Sequence, residues 1–253
     1  MRTAVSRQID NSVKGGGTEF CFGYGYQFWR LRGGGFAMYG MGSQYALCVP
    51  EEGTILITIA DTQGVAEAGG VICAAFYKLL KNLSPGPLPE NPQAHGALKD
   101  RIAGLSLPLP HGKQSTPMAG AISGKKYLLD ENAAGVKWLR LMVEPDTCRL
   151  QYENASGEHK LIFGMSRYEP QTFPEKYFGK RIGMRDTHYR CIGAGAWTDG
   201  NALLGTIYSV DDHHGSIKMM LTYSGDEVCG FMAKEAEWFF DTYQGFLAGK
   251  AEQ

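Results

Sequence analysis

Two short patterns in the sequence could take part in acyl-transfer chemistry. Ser123 and Lys126 are separated by two residues, and Tyr152 and Asn154 by one. On a helix, residues three apart share one face, so a lysine amine could take the proton of a serine hydroxyl. The stretch GAISGKKYLL around the first pair instead alternates apolar residues as a strand does, which would send Ser123 and Lys126 to opposite faces. We therefore expect no serine nucleophile here.

The densest group of potential metal ligands is the run of Asp211, Asp212, His213 and His214. Adjacent histidines between two predicted strands are more typical of a solvated hairpin turn, and no other Cys or His pair has the spacing of metal ligands. The glycine-rich stretches KGGGTEF and RGGGF lack the Lys-Ser or Lys-Thr that follows in a phosphate-binding loop. We therefore predict neither a metal ion nor another cofactor.

The composition argues against several classes of partner. Lys and Arg number 25, Asp and Glu number 26, and the sequence pI is about 6.6. A chain so balanced has no field that would draw it to nucleic acid or anionic lipid. The longest apolar run is far shorter than the roughly 20 residues that span a bilayer. Because the N-terminus lacks the apolar segment of a secretory leader, we expect a cytoplasmic protein with reduced cysteines.

Residues 20–60 are predicted to form a three-stranded antiparallel meander. In FCFGYGYQFWRL the aromatic residues alternate, as they would on one face of a strand. These residues are Phe20, Phe22, Tyr24, Tyr26 and Phe28. The stretches SQYALCV and TILITIA follow as two further strands, and the short loops between them favour antiparallel pairing.

Two helices are predicted after the meander. Beyond a cap at Asp61 or Thr62, apolar residues recur every three or four positions, as on an amphipathic helix. They are Val65, Ala68, Ile72, Phe76, Leu79 and Leu83. A second helix, with Asn91 as its cap and Pro92 as its first residue, follows a proline-rich stretch. This helix is expected to bury Leu98, Ile102 and Leu105.

Beyond residue 119 the sequence shows eight strand candidates divided by turn residues. They are GAISGKKYLL, VKWLRLMVE, CRLQYEN, EHKLIFG, YRCIGAGAWT, ALLGTIYS, SIKMMLTYS and DEVCGFMAK. Sequential strands with tight turns favour an up-and-down barrel, because closure leaves no exposed edge. A two-sheet sandwich is the alternative. The longer segment 164–188 is expected to form a lid or plug, and the tail 235–247 a short helix or an extended arm.

Aromatic residues recur along the predicted barrel strands, and they could either fill the core or line a cup for one small molecule. They are Trp138, Tyr152, Phe163, Trp197, Tyr208 and Tyr223. The predicted fold class is α+β, mostly β. It comprises a three-stranded meander with helices over 1–83, a proline-rich linker with a short helix over 84–118, and an eight-stranded antiparallel up-and-down β-barrel over 119–253.

The stretch GYGYQFWRLRGGGFAMYGMGSQYALCVPEEGTILITIA, residues 23–60, resembles the carboxy-terminal strands of the β-lactamase-related serine hydrolases. That family includes class C β-lactamases, esterases and D-aminopeptidases. The resemblance covers residues 5–83 well, and the segments that follow resemble the linker and the appended lipocalin-like barrel of a bacterial subgroup. It implies that the chain is a C-terminal fragment of such a hydrolase.

Catalysis in that family rests on a Ser-x-x-Lys on a helix, a Tyr-x-Asn on a loop, and a Lys-Thr-Gly or His-x-Gly on the strand at the edge of the cleft. Aligned on Val-Pro-Glu, the third element falls on Met38, Tyr39 and Gly40, so methionine replaces the proton-relaying residue. Gly42 and Gln44 complete this remnant of the cleft strand. The serine motif belongs well before this strand, so the resemblance implies a chain without catalytic residues.

Three hypotheses for the function are open. The leading one is a non-catalytic hydrolase fragment that acts as an interaction or ligand-binding module and forms a homo-oligomer through the exposed residues 20–83. The first alternative is one half of a split serine hydrolase, completed by a separately encoded chain that carries Ser-x-x-Lys and Tyr-x-Asn. The second alternative is a carrier that holds a small molecule inside the barrel.

Overall fold

The computed structural model of the chain divides into two compact units, Met1–Ser106 and Leu107–Gln253. It describes residues 2–12, 19–62, 65, 68–175, 189–211, 215–236 and 243–253.

The first unit contains a small sheet and three helices among its described residues. These elements are α1 (Arg2–Val5), β1 (Trp29–Arg30), β2 (Phe36–Gly40), β3 (Gln44–Val49), β4 (Thr54–Thr58), α2 (Ala68–Leu80) and α3 (Pro92–Ala103). The strands pair antiparallel in the order β1-β2-β3-β4. The predicted antiparallel sheet is therefore confirmed, but it has four strands rather than three: β3 and β4 are the predicted second and third strands, whereas β2 was not predicted.

The predicted first strand, FCFGYGYQFWRL, is wrong over most of its length. Tyr24 pairs with Trp29 across a tight turn, and Gln27 within that turn has a positive φ of 63°. The chain therefore reverses inside the stretch, and the alternating aromatic residues do not share one face. Phe20 is buried whereas Phe22 is exposed.

The core of the first unit lies between α2 and one face of the sheet. Its buried residues are Phe20, Leu31, Ala37, Tyr45, Leu47, Val49, Cys73 and Phe76. Gly69 lets α2 approach the sheet closely, since a Cβ at this position would overlap the hydroxyl of Tyr45. The predicted helix is confirmed, but its buried face is centred on Cys73 and Phe76, and Val65, Leu79 and Leu83 are exposed.

The third helix begins as predicted and leaves apolar side chains exposed. Asn91 caps α3, because its side chain accepts a hydrogen bond from Ala94 N at 2.9 Å. The expected burial on this helix is wrong, since Leu98, Ile102 and Leu105 are exposed. On the edge strand β4 and just beyond it, Ile55, Ile57 and Ile59 are also exposed. Self-association through residues 20–83 stays a prediction.

The second unit is a β-barrel. Its elements are α4 (Ala119–Ile122), β5 (Lys126–Leu129), β6 (Trp138–Val143), β7 (Thr147–Asn154), β8 (Gly157–Gly164), β9 (Glu169–Thr172), β10 (Arg190–Thr198), β11 (Ala202–Ser209), β12 (Gly215–Ser224), β13 (Glu227–Ala236) and β14 (Tyr243–Ala251). Within the described residues, nine of these strands close into a ring in the order β5-β6-β7-β8-β10-β11-β12-β13-β14. The predicted barrel is confirmed, the count of eight is wrong, and the sandwich alternative is excluded.

The ninth barrel strand comes from the tail. β14 pairs with β13 along its length and with β5 near its end, where Gly249 lies opposite Leu129. The described part of the tail is therefore extended, and it belongs to the barrel wall rather than lying on the barrel.

One seam of the wall is closed differently from the rest. β8 and β10 run parallel and meet at Gly164 and Ala194, while β9 pairs antiparallel with the start of β10. The side chain of Gln171 on β9 bonds to both backbone groups of Ile162 on β8, at 2.9 and 2.6 Å. β9 therefore fills the gap between the two strands. Within the predicted lid segment 164–188, residues 176–188 lie outside the described residues.

One end of the barrel is covered by the chain that leads into it. We call the half of the barrel near α4 the closed half, and the half near the β7–β8 turn the open half. Residues 119–122 form the helical turn α4 instead of the predicted start of a strand, and its Ile122 is fully buried in the barrel core. Lys113 pairs with Trp197 at the same end.

Candidate binding site in the barrel

The open half of the barrel is hollow. It contains a cavity of about 280 Å³ whose wall is mostly apolar. Among the apolar side chains that line it are Leu139, Leu150, Leu161, Ile217, Met219 and Met232. The polar residues that line it, among those the structure describes, are Tyr152, Asn154, Glu175 and Lys234. Fold and cavity together define a small closed β-barrel with a partly hollow interior.

These side chains face the interior because side chains alternate between the two faces of each strand. On β7, positions 150, 152 and 154 face inward, and on β12 positions 217, 219 and 221 do so. Successive residues of a strand point to opposite sides, so the residues between them face outward. The spacing of Tyr152 and Asn154 therefore places both side chains on the cavity side of β7.

The closed half is packed, and this packing bounds the cavity. Phe163, Trp197 and Tyr223, three of the aromatic residues considered above, are fully buried there. Tyr152 instead lines the cavity. Of the two alternatives, a filled core therefore describes the closed half, and a cup describes the open half.

A polar network surrounds the carboxylate of Glu175 at the cavity. The Tyr152 hydroxyl donates to Oε1 of Glu175 through a short hydrogen bond, and Asn154 Nδ2 donates to Oε2 at 2.6 Å. Ser156 Oγ lies 3.2 Å from the same Oε2 and 2.7 Å from Asn154 Oδ1. His159 Nε2 lies 3.1 Å from Asn154 Oδ1. Two strands, β7 and β8, thus hold a side chain that follows β9.

This network keeps Tyr152 protonated. Burial, and then the charge of Glu175, raise the pKa of the Tyr152 hydroxyl well above its usual value. The hydroxyl is therefore a hydrogen-bond donor throughout the physiological pH range.

The network does not have the geometry of a serine relay. Ser156 Oγ lies 2.9 Å from His159 Nε2, and Glu175 Oε2 lies 3.7 Å from that same nitrogen. In a serine relay, the carboxylate orients the imidazole through one ring nitrogen while the other takes the serine proton. Here one nitrogen faces both groups, so the arrangement suits binding rather than nucleophilic catalysis.

Ser123 and Lys126, the first pair considered in the sequence, do not lie on one turn of a helix. Ser123 follows the short helix α4, and its hydroxyl accepts a hydrogen bond from Val143 N at 2.9 Å. Lys126 begins β5 and lies 3.4 Å from Glu252 Oε1. The two side chains therefore do not share a helical turn, as expected, although the reason is a helix-to-strand junction rather than a continuous strand.

The predicted cleft-strand residues Met38, Tyr39, Gly40, Gly42 and Gln44 lie on β2, in the following turn and at the start of β3. Tyr39 stacks on Tyr45 with ring centroids 5.0 Å apart. Met38 is exposed on the opposite face of the sheet, paired with Ala46.

The predicted hairpin with Asp211, Asp212, His213 and His214 lies largely outside the described residues, since only Asp211 is described. Across the described ranges, the structure brings together no three His, Cys, Asp or Glu side chains in a metal-binding arrangement. No described helix is long and apolar enough to cross a membrane.

Solved structures similar to this chain include fatty-acid- and lipid-binding proteins, and the three described next each align with about half of it. The fatty-acid-binding protein from brain tissue of Drosophila melanogaster is 15% identical with a TM-score of 0.34, covering 51% of this chain and 99% of that one. Lipid binding protein 8 of Caenorhabditis elegans is 9% identical, with a TM-score of 0.39 and coverages of 54% and 99%. The Schistosoma mansoni fatty acid binding protein, in complex with arachidonic acid, is 10% identical, with a TM-score of 0.36 and coverages of 54% and 99%. No family model and no curated protein matches the chain.

The resemblance to β-lactamase-related serine hydrolases is wrong. The similar solved structures named above are fatty-acid- and lipid-binding proteins, and neither the family models nor the curated proteins support a hydrolase. The fragment and split-hydrolase hypotheses depended on that resemblance, as did the cleft-strand role of Met38 to Gln44. They are unsupported.

Two tyrosines of the barrel are expected to respond differently to loss of the hydroxyl. Tyr152→Phe should lower the free energy of unfolding by about 1 to 2 kcal/mol, because it removes a hydrogen bond to a carboxylate. Within the described residues, the buried hydroxyl of Tyr223 has no hydrogen-bond partner, so Tyr223→Phe should cost less than about 0.5 kcal/mol or stabilise the fold. Urea denaturation compares the two variants. A larger loss for Tyr223→Phe would contradict this assignment.

Proposed function

We propose that this protein binds a small, largely apolar molecule inside its barrel, as a carrier or ligand-binding module. The observation that carries the proposal is the cavity of about 280 Å³ in the open half, beside a closed half that is packed with large side chains. Protein interiors are normally close-packed, so a hollow of this size is not an ordinary packing defect.

The size of the cavity limits the ligand. An apolar cavity of about 150 Å³ is large enough to hold benzene, so by the same scale this one has room for roughly 10 to 12 non-hydrogen atoms. A longer molecule would extend beyond the cavity that the described residues line. Removal of apolar ligand and wall surface from water supplies the driving force.

The distribution of polar groups sets the orientation of the ligand. The inward side chains of β12 that line the cavity are Ile217, Met219 and Leu221, and they lead down toward the closed half. The hydrogen-bonding groups around Glu175 lie near the β7–β8 turn, at the other limit of the cavity. An amphipathic ligand would therefore enter with its apolar end first and keep its polar end at the Glu175 network.

A cavity-filling substitution tests this proposal with octan-1-ol, an uncharged ligand of suitable size. Met232 lines the cavity from β13 and is only partly buried, so its replacement by tryptophan reduces the free volume with little strain on the core. Met232→Trp is expected to lower the affinity for octan-1-ol, measured by titration calorimetry, by at least about ten-fold.

The matched control is Met220→Trp. Met220 is the same residue type on the adjacent strand β12, but it is 41% exposed on the outside of the barrel. Its replacement is expected to leave the affinity unchanged. If wild-type protein takes up no octan-1-ol, or if both variants bind it as the wild type does, the barrel interior is not the binding site.

A further inference from the structure

We infer that the cavity selects a ligand whose polar end is a hydrogen-bond-donating cation, such as a primary amine, over one with a carboxylate. This inference rests on the proposed function and adds the class of head group. It follows from the geometry around Glu175, the acidic residue among the described residues that line the cavity.

The carboxylate of Glu175 is fixed in place before a ligand arrives. Tyr152 donates to one of its oxygens and Asn154 to the other, so neither oxygen is free to turn away. A carboxylate has about four acceptor positions and no proton to donate when ionised. With two donors engaged and Ser156 Oγ at 3.2 Å, acceptor capacity remains for an occupant of the cavity.

The neighbouring donors are already committed to Glu175. The Tyr152 hydroxyl has a single proton, and its partner is Oε1 of Glu175. The amide of Asn154 directs one N–H to Oε2. A ligand carboxylate would have to share these donors with Glu175 and would then lie next to a second acidic group. An ammonium group meets an acceptor and an opposite charge, which is a stronger hydrogen bond than a neutral pair makes.

Lys234 is the cationic side chain among the described residues that line the cavity. It lies on β13, which is across the ring of strands from β7, whereas Glu175 is bonded to Tyr152 and Asn154 of β7. Lys234 also has an interaction of its own within the chain. The strands that carry Lys234 and the partners of Glu175 therefore lie on opposite walls of the barrel, and the acidic side chain is the one fixed by Tyr152 and Asn154.

Three ligands with the same eight-carbon tail separate the head groups: octylamine, octan-1-ol and octanoate. Titration calorimetry at pH 7.5 is expected to rank wild-type affinities as amine above alcohol above carboxylate, with at least about ten-fold between the amine and octanoate. Glu175→Gln keeps the shape of the side chain and removes its charge. This variant is expected to bind octylamine with about ten-fold lower affinity than the wild type and octanoate with higher affinity. Its affinity for octan-1-ol is expected to stay within about three-fold of the wild-type value.

Two control variants complete the experiment. Glu158→Gln removes the same charge from the exposed side of β8 and is expected to leave all three affinities unchanged. Lys234→Met is expected to bind octanoate with the same low affinity as the wild type. A wild-type preference for octanoate that Lys234→Met abolishes would overturn the inference, as would equal binding of amine and carboxylate. Absence of octan-1-ol binding would instead refute the proposed function, so the two failures are distinguishable. The wild-type ranking decides the question even if Glu175→Gln does not fold.

Discussion

Phe163→Ala is expected to lower the free energy of unfolding of the barrel unit by about 3 to 5 kcal/mol, the largest effect that we predict. Phe163 has 0% of its surface exposed. Its side chain lies against two glycines that face each other on neighbouring strands, Gly195 of β10 and Gly205 of β11. A Cβ at Gly205 would lie 2.8 Å from the Phe163 ring, so the ring occupies the room that these glycines leave.

This substitution should be so costly because glycines cannot close the resulting void. Neither glycine has a side chain that could move into it, and the cost of a large-to-small change rises with the volume that stays empty. The matched control is Phe246→Ala on the outside of β14, where the side chain is 76% exposed, with an expected loss below about 0.5 kcal/mol. Urea denaturation measures both, and equal losses would contradict the assignment of Phe163 to the core.

Gly193→Ala is the second large effect, expected to destabilise the barrel by about 3 kcal/mol. A Cβ at Gly193 would overlap the carbonyl oxygen of Ile162 and would lie 2.6 Å from Nε2 of Gln171. These atoms belong to the hydrogen bonds with which β9 fills the gap between β8 and β10. The backbone of Ile162 cannot move aside without breaking these hydrogen bonds. The substitution therefore strains the junction of β8, β9 and β10, where the barrel strands are paired least regularly.

Native-state hydrogen exchange tests this expectation at the seam itself. The amides of β8 and β10 should lose protection in Gly193→Ala. The control is Gly120→Ala on α4, where a Cβ would meet no atom within 4 Å and where alanine is the better helix former. That variant should keep wild-type protection. Unchanged exchange at Ile162 in Gly193→Ala would show that the seam tolerates a methyl group.

The sequence identifies eight of the nine barrel strands from short apolar stretches that are divided by turn residues. β14 escapes this pattern. Its inward positions include Gly245 and Gly249, while the large Phe246 faces solvent. Position 249 requires glycine, since a Cβ there would overlap the backbone of β5. Hydrophobic periodicity therefore does not reveal this strand, because some of its inward positions are glycines that let the neighbouring strand come close.

The errors in the first unit have a different origin. Alternating aromatic residues predict a strand, but the conformation of Gln27 reverses the chain, and a single positive φ leaves no mark on the period. The local similarity to hydrolase strands over 23–60 likewise comes from one meander with glycine-rich turns. Such a stretch has few residues that distinguish one family from another.

Only part of the candidate site can be derived from the sequence. The spacing of Tyr152 and Asn154 is visible, and the strand period places both on one face. Their partner Glu175 follows β9 and belongs to no pattern, so only the closed ring shows that it meets β7. The division of the interior into packed and hollow halves depends on the pairing of distant strands, which periodicity does not specify.

The ring closes by pairing the first barrel strand, β5, with the last, β14. During synthesis, a growing chain that has already exposed β5 to β13 therefore still has two unpaired edges. Closure of the ring must wait until residues 243–251 have been synthesised, and until then both edges are able to pair with other chains.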